Sequence, residues 1–150
     1  MPFRSVLLLA GILFVFTACE RSPYQDGARI YKNYCANCHM DSGEGLGALI
    51  PPLAGADYLA KNYDQLPCLV RYGLQDTIVV NGKIYAEEMP PNDKLSDIDI
   101  TNVLNYVNTH LGNQNPIFTL EQVRASLDKC STIQFPSPSL FPADKVDPTR

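Results

Sequence analysis

Five consecutive residues constrain this chain more than any other feature: Cys35-Ala36-Asn37-Cys38-His39. Two thiols stand three positions apart and an imidazole follows at once. A C-x-x-C pair can form a disulfide, act as a thioredoxin-type redox pair or bind zinc. A thioredoxin-type pair follows a strand in a βαβ pattern, which this sequence does not show. A zinc site needs further ligands close by.

The histidine that completes C-x-x-C-H indicates covalent haem attachment. Cys35 and Cys38 can reach two neighbouring vinyl groups on one edge of a porphyrin. His39 then lies beneath the ring with an imidazole nitrogen facing the iron. We therefore predict one covalent haem c, with a structural disulfide between the two cysteines as the alternative.

A haem iron used for electron transfer needs a second axial ligand, and Met89 is the best candidate. Met40 directly follows His39 and so is confined to the proximal side, whereas Met89 lies 50 residues later beside Pro90-Pro91. A thioether at that position would close the distal side and raise the reduction potential. His110 is the competing ligand, but it ends a long predicted helix, where a histidine usually serves the helix terminus.

The first 18 residues predict an export signal. Arg4 is the first and only charge before Glu20, and the apolar stretch that follows it is too short to span a bilayer. Phe16-Thr17-Ala18-Cys19 is similar to the lipobox of bacterial lipoproteins, which predicts lipidation of Cys19 and a tether over residues 19–23. The alternatives are an ordinary signal peptide cut near Ala18 and an uncleaved anchor.

Charge excludes some partners. Removing residues 1–18 changes the formal net charge from −4 to −5, because Arg4 is lost. A modestly acidic protein is a poor candidate for binding nucleic acid or an anionic membrane surface. A basic protein partner remains compatible with this charge.

The remaining pattern predicts an all-α domain over residues 24–130 and a loose, proline-rich tail over 131–150. Asn81-Gly82 between β-branched flanks predicts a small hairpin at 77–85. Ser96 and Asp99 predict a capped helix start. The predicted helices are 24–37, 57–62, 65–72, 96–111 and 119–127.

The chain resembles class I cytochromes c beyond the haem motif. Pro51-Pro52-Leu53-Ala54-Gly55 matches the family's P-x-L-x-G, and Met89-Pro90-Pro91 is similar to its ligand loop. The resemblance implies that the Pro51 carbonyl accepts the ring N–H of His39. It also implies that the predicted helix at 96–111 crosses the first helix, whose packing face would be Gly27, Ala28 and Tyr31.

Cys68 and Cys130 are left after haem attachment and lipidation. In an oxidising compartment two such cysteines usually pair, so we predict a disulfide. Two buried free thiols are the alternative.

These observations predict a cytochrome c fold with helices around one haem. We expect an electron-transfer protein and no catalytic residue, lipid-anchored at the periplasmic face of a bacterial membrane. Its expected partners are redox proteins: a quinol-oxidising complex, a terminal oxidase or a dehydrogenase. The alternatives are a haem subunit of a larger membrane oxidoreductase and a sensor or enzyme with an open distal site.

Overall fold

A computed structural model describes residues 25–131. The predicted signal peptide, Cys19, the tether and residues 132–150 of the predicted tail lie outside this range. The described part is mostly helical with one small ribbon, which confirms the predicted fold class. Its helices are α1 (Gln25–Tyr34), α2 (Ala36–His39), α3 (Asp57–Lys61), α4 (Leu66–Tyr72), α5 (Asp97–Thr109) and α6 (Leu120–Ser131), with a 3-10 turn at Tyr63–Gln65 and strands β1 (Ile78–Val80) and β2 (Lys83–Tyr85).

Helices α1 and α5 cross in close contact, as the resemblance implied. Gly27 makes this approach possible: a Cβ at this position would lie 2.3 Å from the Asn102 carbonyl oxygen and 2.7 Å from Tyr106 Cβ. Four residues later Tyr31 is buried and its ring meets that of Tyr106 at 5.4 Å. Ala28, also predicted to face α5, is only half-buried.

The long helix α5 begins at the predicted cap. Ser96 Oγ accepts the Asp99 backbone N–H at 3.2 Å, and the Asp99 carboxylate accepts the Ser96 backbone N–H at 3.0 Å. The predicted end at Leu111 was too late. His110 has already left helical geometry and Leu111 has φ +54°, so the helix stops at Thr109.

Helix α6 packs against α4 and α5 and completes the core. Phe118, Val123 and Leu127 are buried there. Two capping bonds start the helix: the Thr119 backbone N–H donates to the Gln122 side-chain oxygen at 2.8 Å, and the Gln122 backbone N–H donates to Thr119 Oγ1 at 3.2 Å. The helix continues four residues past its predicted end at 127, and this last turn carries Cys130, which is buried and bonded to Cys68 of α4.

Cys68 of α4 and Cys130 of α6 are joined by a disulfide across 62 positions of sequence. Their Cα atoms are 6.1 Å apart, within the usual range for such a bridge. Both residues are buried. The bridge fixes α4 to the C-terminal helix.

The predicted hairpin is present. β1 and β2 pair antiparallel, with Val79 opposite Ile84, around the turn Asn81-Gly82. The turn is tied to α3, because Asp57 accepts the Asn81 backbone N–H at 2.7 Å and donates its own N–H to the Asn81 side chain at 3.0 Å.

One predicted helix is divided. The pattern predicted helix over 24–37, but Cys35 has φ −116°, which breaks the helix between α1 and α2. The described residues contain no helix long and apolar enough to cross a bilayer.

Candidate haem site

The two thiols of the motif lie at and just after the break between α1 and α2: Cys35 is the residue before α2, and Cys38 is inside that short helix. Both Cys35 and Cys38 are free, so the structural disulfide considered above is not formed in this structure. Cys35 is half-buried and Cys38 is exposed. Burial, with a smaller contribution from neighbouring Cys38, raises the pKa of the Cys35 thiol to about 11. Because neither sulfur is in a disulfide, both thiols can bond to another group.

His39 is held by one specific hydrogen bond. Its Nδ1 lies 3.0 Å from the Pro51 carbonyl oxygen, which has no proton to give, so Nδ1–H donates. Nε2 is then left with its lone pair, the arrangement of a metal-binding histidine. Burial lowers the pKa of His39, and the bond to Pro51 opposes this in part. The imidazole is therefore neutral, as a ligand requires, at neutral pH.

A tight loop holds Pro51 in place. The Gly45 backbone N–H donates to the His39 carbonyl at 3.1 Å. A Cβ on Gly45 would lie 2.4 Å from the Ile50 oxygen and 2.7 Å from the Pro51 oxygen, and its φ is +72°. Leu53 N–H donates to the Gly43 carbonyl at 2.7 Å. The glycines let the chain fold back on itself until Pro51 meets His39.

Two contacts that support the segment around His39 and Pro51 were not predicted. Tyr31 Oη donates to the Met40 carbonyl at 2.7 Å, which fixes the residue after the histidine. The Asn113 amide donates to the carbonyls of Leu53 and Val107, both at 2.8 Å, and so ties the Pro51 loop to α5. Neither contact has a sequence signal, because the partners are backbone carbonyls of other segments.

Met89 lies in a different segment, which pairs with Leu74 just after the end of α4. Its backbone N–H donates to the Leu74 carbonyl at 2.8 Å and its carbonyl accepts the Leu74 N–H at 2.9 Å. The residue is half-buried and packs against the core. Both bonds therefore fix the Met89 backbone and use no atom of its side chain, so the thioether sulfur is not engaged by them.

His110, the competing ligand, is otherwise engaged. Its ring stacks on Tyr106 with centroids 4.7 Å apart, and its Nδ1 lies 3.0 Å from Thr109 Oγ1. It caps the end of α5, as its position in the sequence predicted.

The donor set fits a covalent haem. It offers two free thiols, a neutral imidazole with a free Nε2 and, in a separate segment, a thioether. Within residues 25–131 no group of three or more His, Cys, Asp or Glu side chains could hold a metal ion.

Buried polar atoms without a partner among the described residues include the hydroxyls of Tyr58 and Tyr63. Burial also raises the pKa of Tyr58 to about 12, which keeps its hydroxyl a donor.

Comparison with known proteins agrees with this site. Residues 22–107 match the family described as cytochrome c oxidase, cbb3-type, subunit III. Cytochrome c-552 of Thermus thermophilus is 39% identical over 108 residues, covering 66% of this chain and 82% of the relative. The cytochrome c subunit of a quinone alcohol dehydrogenase from Gluconobacter oxydans is 34% identical over 94 residues, covering 60% of this chain and 19% of the relative. A fructose dehydrogenase cytochrome subunit from Gluconobacter japonicus is 28% identical over 124 residues, covering 77% and 25%. This chain belongs to the cytochrome c family: it is a c-type cytochrome, an electron-transfer protein with covalent haem c.

Proposed function

We propose that this chain is a monohaem cytochrome that carries single electrons between redox proteins at the periplasmic face of a bacterial membrane. Cys35 and Cys38 would bind the porphyrin as thioethers, and His39 and Met89 would be the two protein ligands of its iron. The observation that carries the proposal is the His39 ring, held through Nδ1 by Pro51 directly after two free thiols.

The protein's part in electron transfer is to fix the ligands. The bond to Pro51 prevents rotation of the His39 ring and strengthens Nε2 as an electron-pair donor to a metal. Met89 supplies a thioether from a segment whose backbone is paired with Leu74. Bound haem supplies an iron that cycles between Fe(III) and Fe(II). Because His39 and Met89 would both hold the iron, the site would leave no position at the metal for a substrate.

The N-terminal residues supply the location in this proposal. Residues 1–18 direct export, Cys19 carries lipid and residues 19–23 form the tether. Several acyl chains anchor a protein stably where a single chain is marginal. The acidic charge favours partners that present basic residues around their own redox centres.

A subunit role in a larger membrane oxidoreductase is the second candidate. It is supported by the family description, which names an oxidase subunit, and by two relatives whose names place them in dehydrogenases. The two candidates share the same haem site and differ in assembly. Purification in mild detergent separates them: a free carrier elutes alone, and a subunit elutes with its oxidase or dehydrogenase.

The intact mass and visible spectrum of the exported protein test the main proposal. We expect the mass of one covalent haem and of N-terminal lipid, and a weak red absorption band from sulfur-to-ferric-iron ligation. Met89→Ala should abolish that band and keep the added haem mass. A ferric protein without the band, or a Met89→Ala variant that retains it, would contradict the assignment of Met89. A colourless protein would contradict haem binding altogether.

A further inference from the structure

We propose that Gly73, the residue that ends α4, is a positioning residue for Met89. The inference rests on the proposed ligation by Met89 and adds a residue that acts only through the backbone. Gly73 directly precedes Leu74, the hydrogen-bonding partner of Met89.

The chain leaves no room for a side chain at position 73. A Cβ there would lie 2.3 Å from the Met89 carbonyl oxygen and 2.9 Å from both Pro90 C and Pro91 N. Contacts of 2.3 Å do not occur for real Cβ atoms, and the atoms met are backbone, which cannot rotate away. Gly73 also has φ +77°, a conformation that costs energy for residues with a side chain. The glycine is buried. Its missing side chain is therefore what lets the Met89 segment lie against the end of α4.

The same segment is held to α4 beyond Met89. The Asn92 backbone N–H donates to the Val70 carbonyl at 3.2 Å. Arg71, which is largely buried, donates to the carbonyls of Asp93 and Leu95 and pairs with Asp97 at 2.9 Å. The last turn of α4 thus contacts the segment from Met89 to Leu95, and the disulfide at Cys68 fixes the same helix to α6.

A side chain at position 73 must therefore displace the Met89 backbone. Displacing it weakens the Leu74 bonds and moves the thioether relative to the proximal half, which has its own separate supports. The expected defect is selective: the distal ligand detaches more easily, and the haem stays covalently bound.

The experiment compares Gly73→Ala with Gly82→Ala in the holoprotein. Gly82 is a matched control because its φ is also +77° and a Cβ there meets no atom within 4 Å. Imidazole is the probe, since it binds ferric haem by replacing a weak axial ligand. Its apparent dissociation constant falls as the detached fraction of Met89 rises. We expect Gly73→Ala to bind imidazole roughly tenfold more tightly than wild type and to weaken the red band, a scale set by the cost of local backbone strain. Gly82→Ala should match wild type in both measurements.

Arg71→Gln provides a second variant in case Gly73→Ala does not accumulate. It removes the donor to Asp93 and Leu95 without adding volume, and we expect tighter imidazole binding than in Gly82→Ala. If Gly73→Ala and Arg71→Gln both bind imidazole as Gly82→Ala does, while wild type shows the red band, the positioning role is refuted. If wild type lacks the band, the assignment of Met89 fails instead, so the two failures are distinguishable.

Discussion

The two halves of the haem site are supported in opposite ways. His39 is held by residues close to it in sequence: Gly45 donates to its carbonyl and Pro51 accepts its ring N–H. Met89 is held by Leu74 at the end of α4, a helix that is itself fixed to Cys130. The proximal half closes short loops, whereas the distal half depends on contacts made across the whole domain. Because loop closure costs more entropy as loops lengthen, we expect the distal half to be the less stable one.

Both halves nevertheless depend on a glycine whose backbone closely approaches another segment. Gly45 on the proximal side and Gly73 on the distal side each have positive φ and each face the carbonyl of a residue that supports or supplies a ligand. A Cβ at either position would collide with that carbonyl at 2.7 Å or less. We therefore expect a variant near Gly45 to affect the support of His39 and a variant near Gly73 to affect the support of Met89, each without the other.

The largest expected effect is loss of the cofactor from the proximal half. Replacing both Cys35 and Cys38 with serine should abolish covalent attachment, because no thiol remains to bond the porphyrin. Intact mass measures this directly, and Met89→Ala is the control that should retain the full added mass. Covalent haem in the double serine variant would show that attachment does not use these residues.

The next largest effect is expected from loss of the Cys68–Cys130 disulfide, which fixes the helix next to the Met89 segment. Replacing Cys68 and Cys130 together with serine should lower the free energy of unfolding by about 4 kcal/mol, since the bridge closes a long loop in the unfolded chain. Denaturant unfolding of the holoprotein measures the loss, and wild type under reductant is the comparison. The haem mass should be unchanged, and imidazole should bind more tightly. Unaltered stability would mean that the bridge contributes nothing to the fold.

A smaller effect is expected at Gly45. Gly45→Ala must push the Pro51 carbonyl away from His39 and should cost about 2 kcal/mol of stability, the scale of overpacking. Gly47→Ala is the control, because a Cβ there meets nothing within 4 Å and its φ is also positive, at +58°. The red band should persist in both variants, in contrast to Gly73→Ala. Loss of the band in Gly45→Ala would contradict the proposal that His39 and Met89 are supported independently.

The smallest effect belongs to a position outside both halves. Ser96→Ala removes the cap of α5 and should cost about 1 kcal/mol without changing imidazole affinity. Hydrogen bonds from Ser96 hold the pKa of Asp99 below its usual value. The wild-type advantage should therefore be present at neutral pH and should fade as the pH falls from about 4, the ordinary Asp value, through the lower pKa that Asp99 has in the folded protein. Denaturant unfolding at several pH values tests both points, and a pH-independent difference would contradict the role of Asp99.

The sequence predicted what depends on local pattern. The fold class, the hairpin at Asn81-Gly82 and the start of α5 all follow from signals within a few residues, and each is confirmed. The helix boundaries were less accurate. The break at Cys35 and the early end of α5 are changes in backbone angles at single residues, which apolar periodicity does not encode.

The supports of the site show the same limit. A resemblance pointed to the Pro51 carbonyl as the partner of His39, because that pairing is a property of the motif. The roles of Tyr31 and Asn113 were not predicted, since a donor to a backbone carbonyl needs no complementary residue type. Gly73 directly follows the predicted helix 65–72, where a glycine commonly ends a helix, and its contact with Met89 emerges only when the two segments are placed together.

Helix α6 has a practical consequence for choosing expression boundaries. The family match stops at residue 107, yet the chain beyond it supplies Val123, Leu127 and one half of a covalent cross-link. A fragment trimmed to the matched region would present uncovered apolar faces on α4 and α5 and an orphan thiol to solvent. The packed domain of this cytochrome therefore extends to at least Cys130, past the end of the family match.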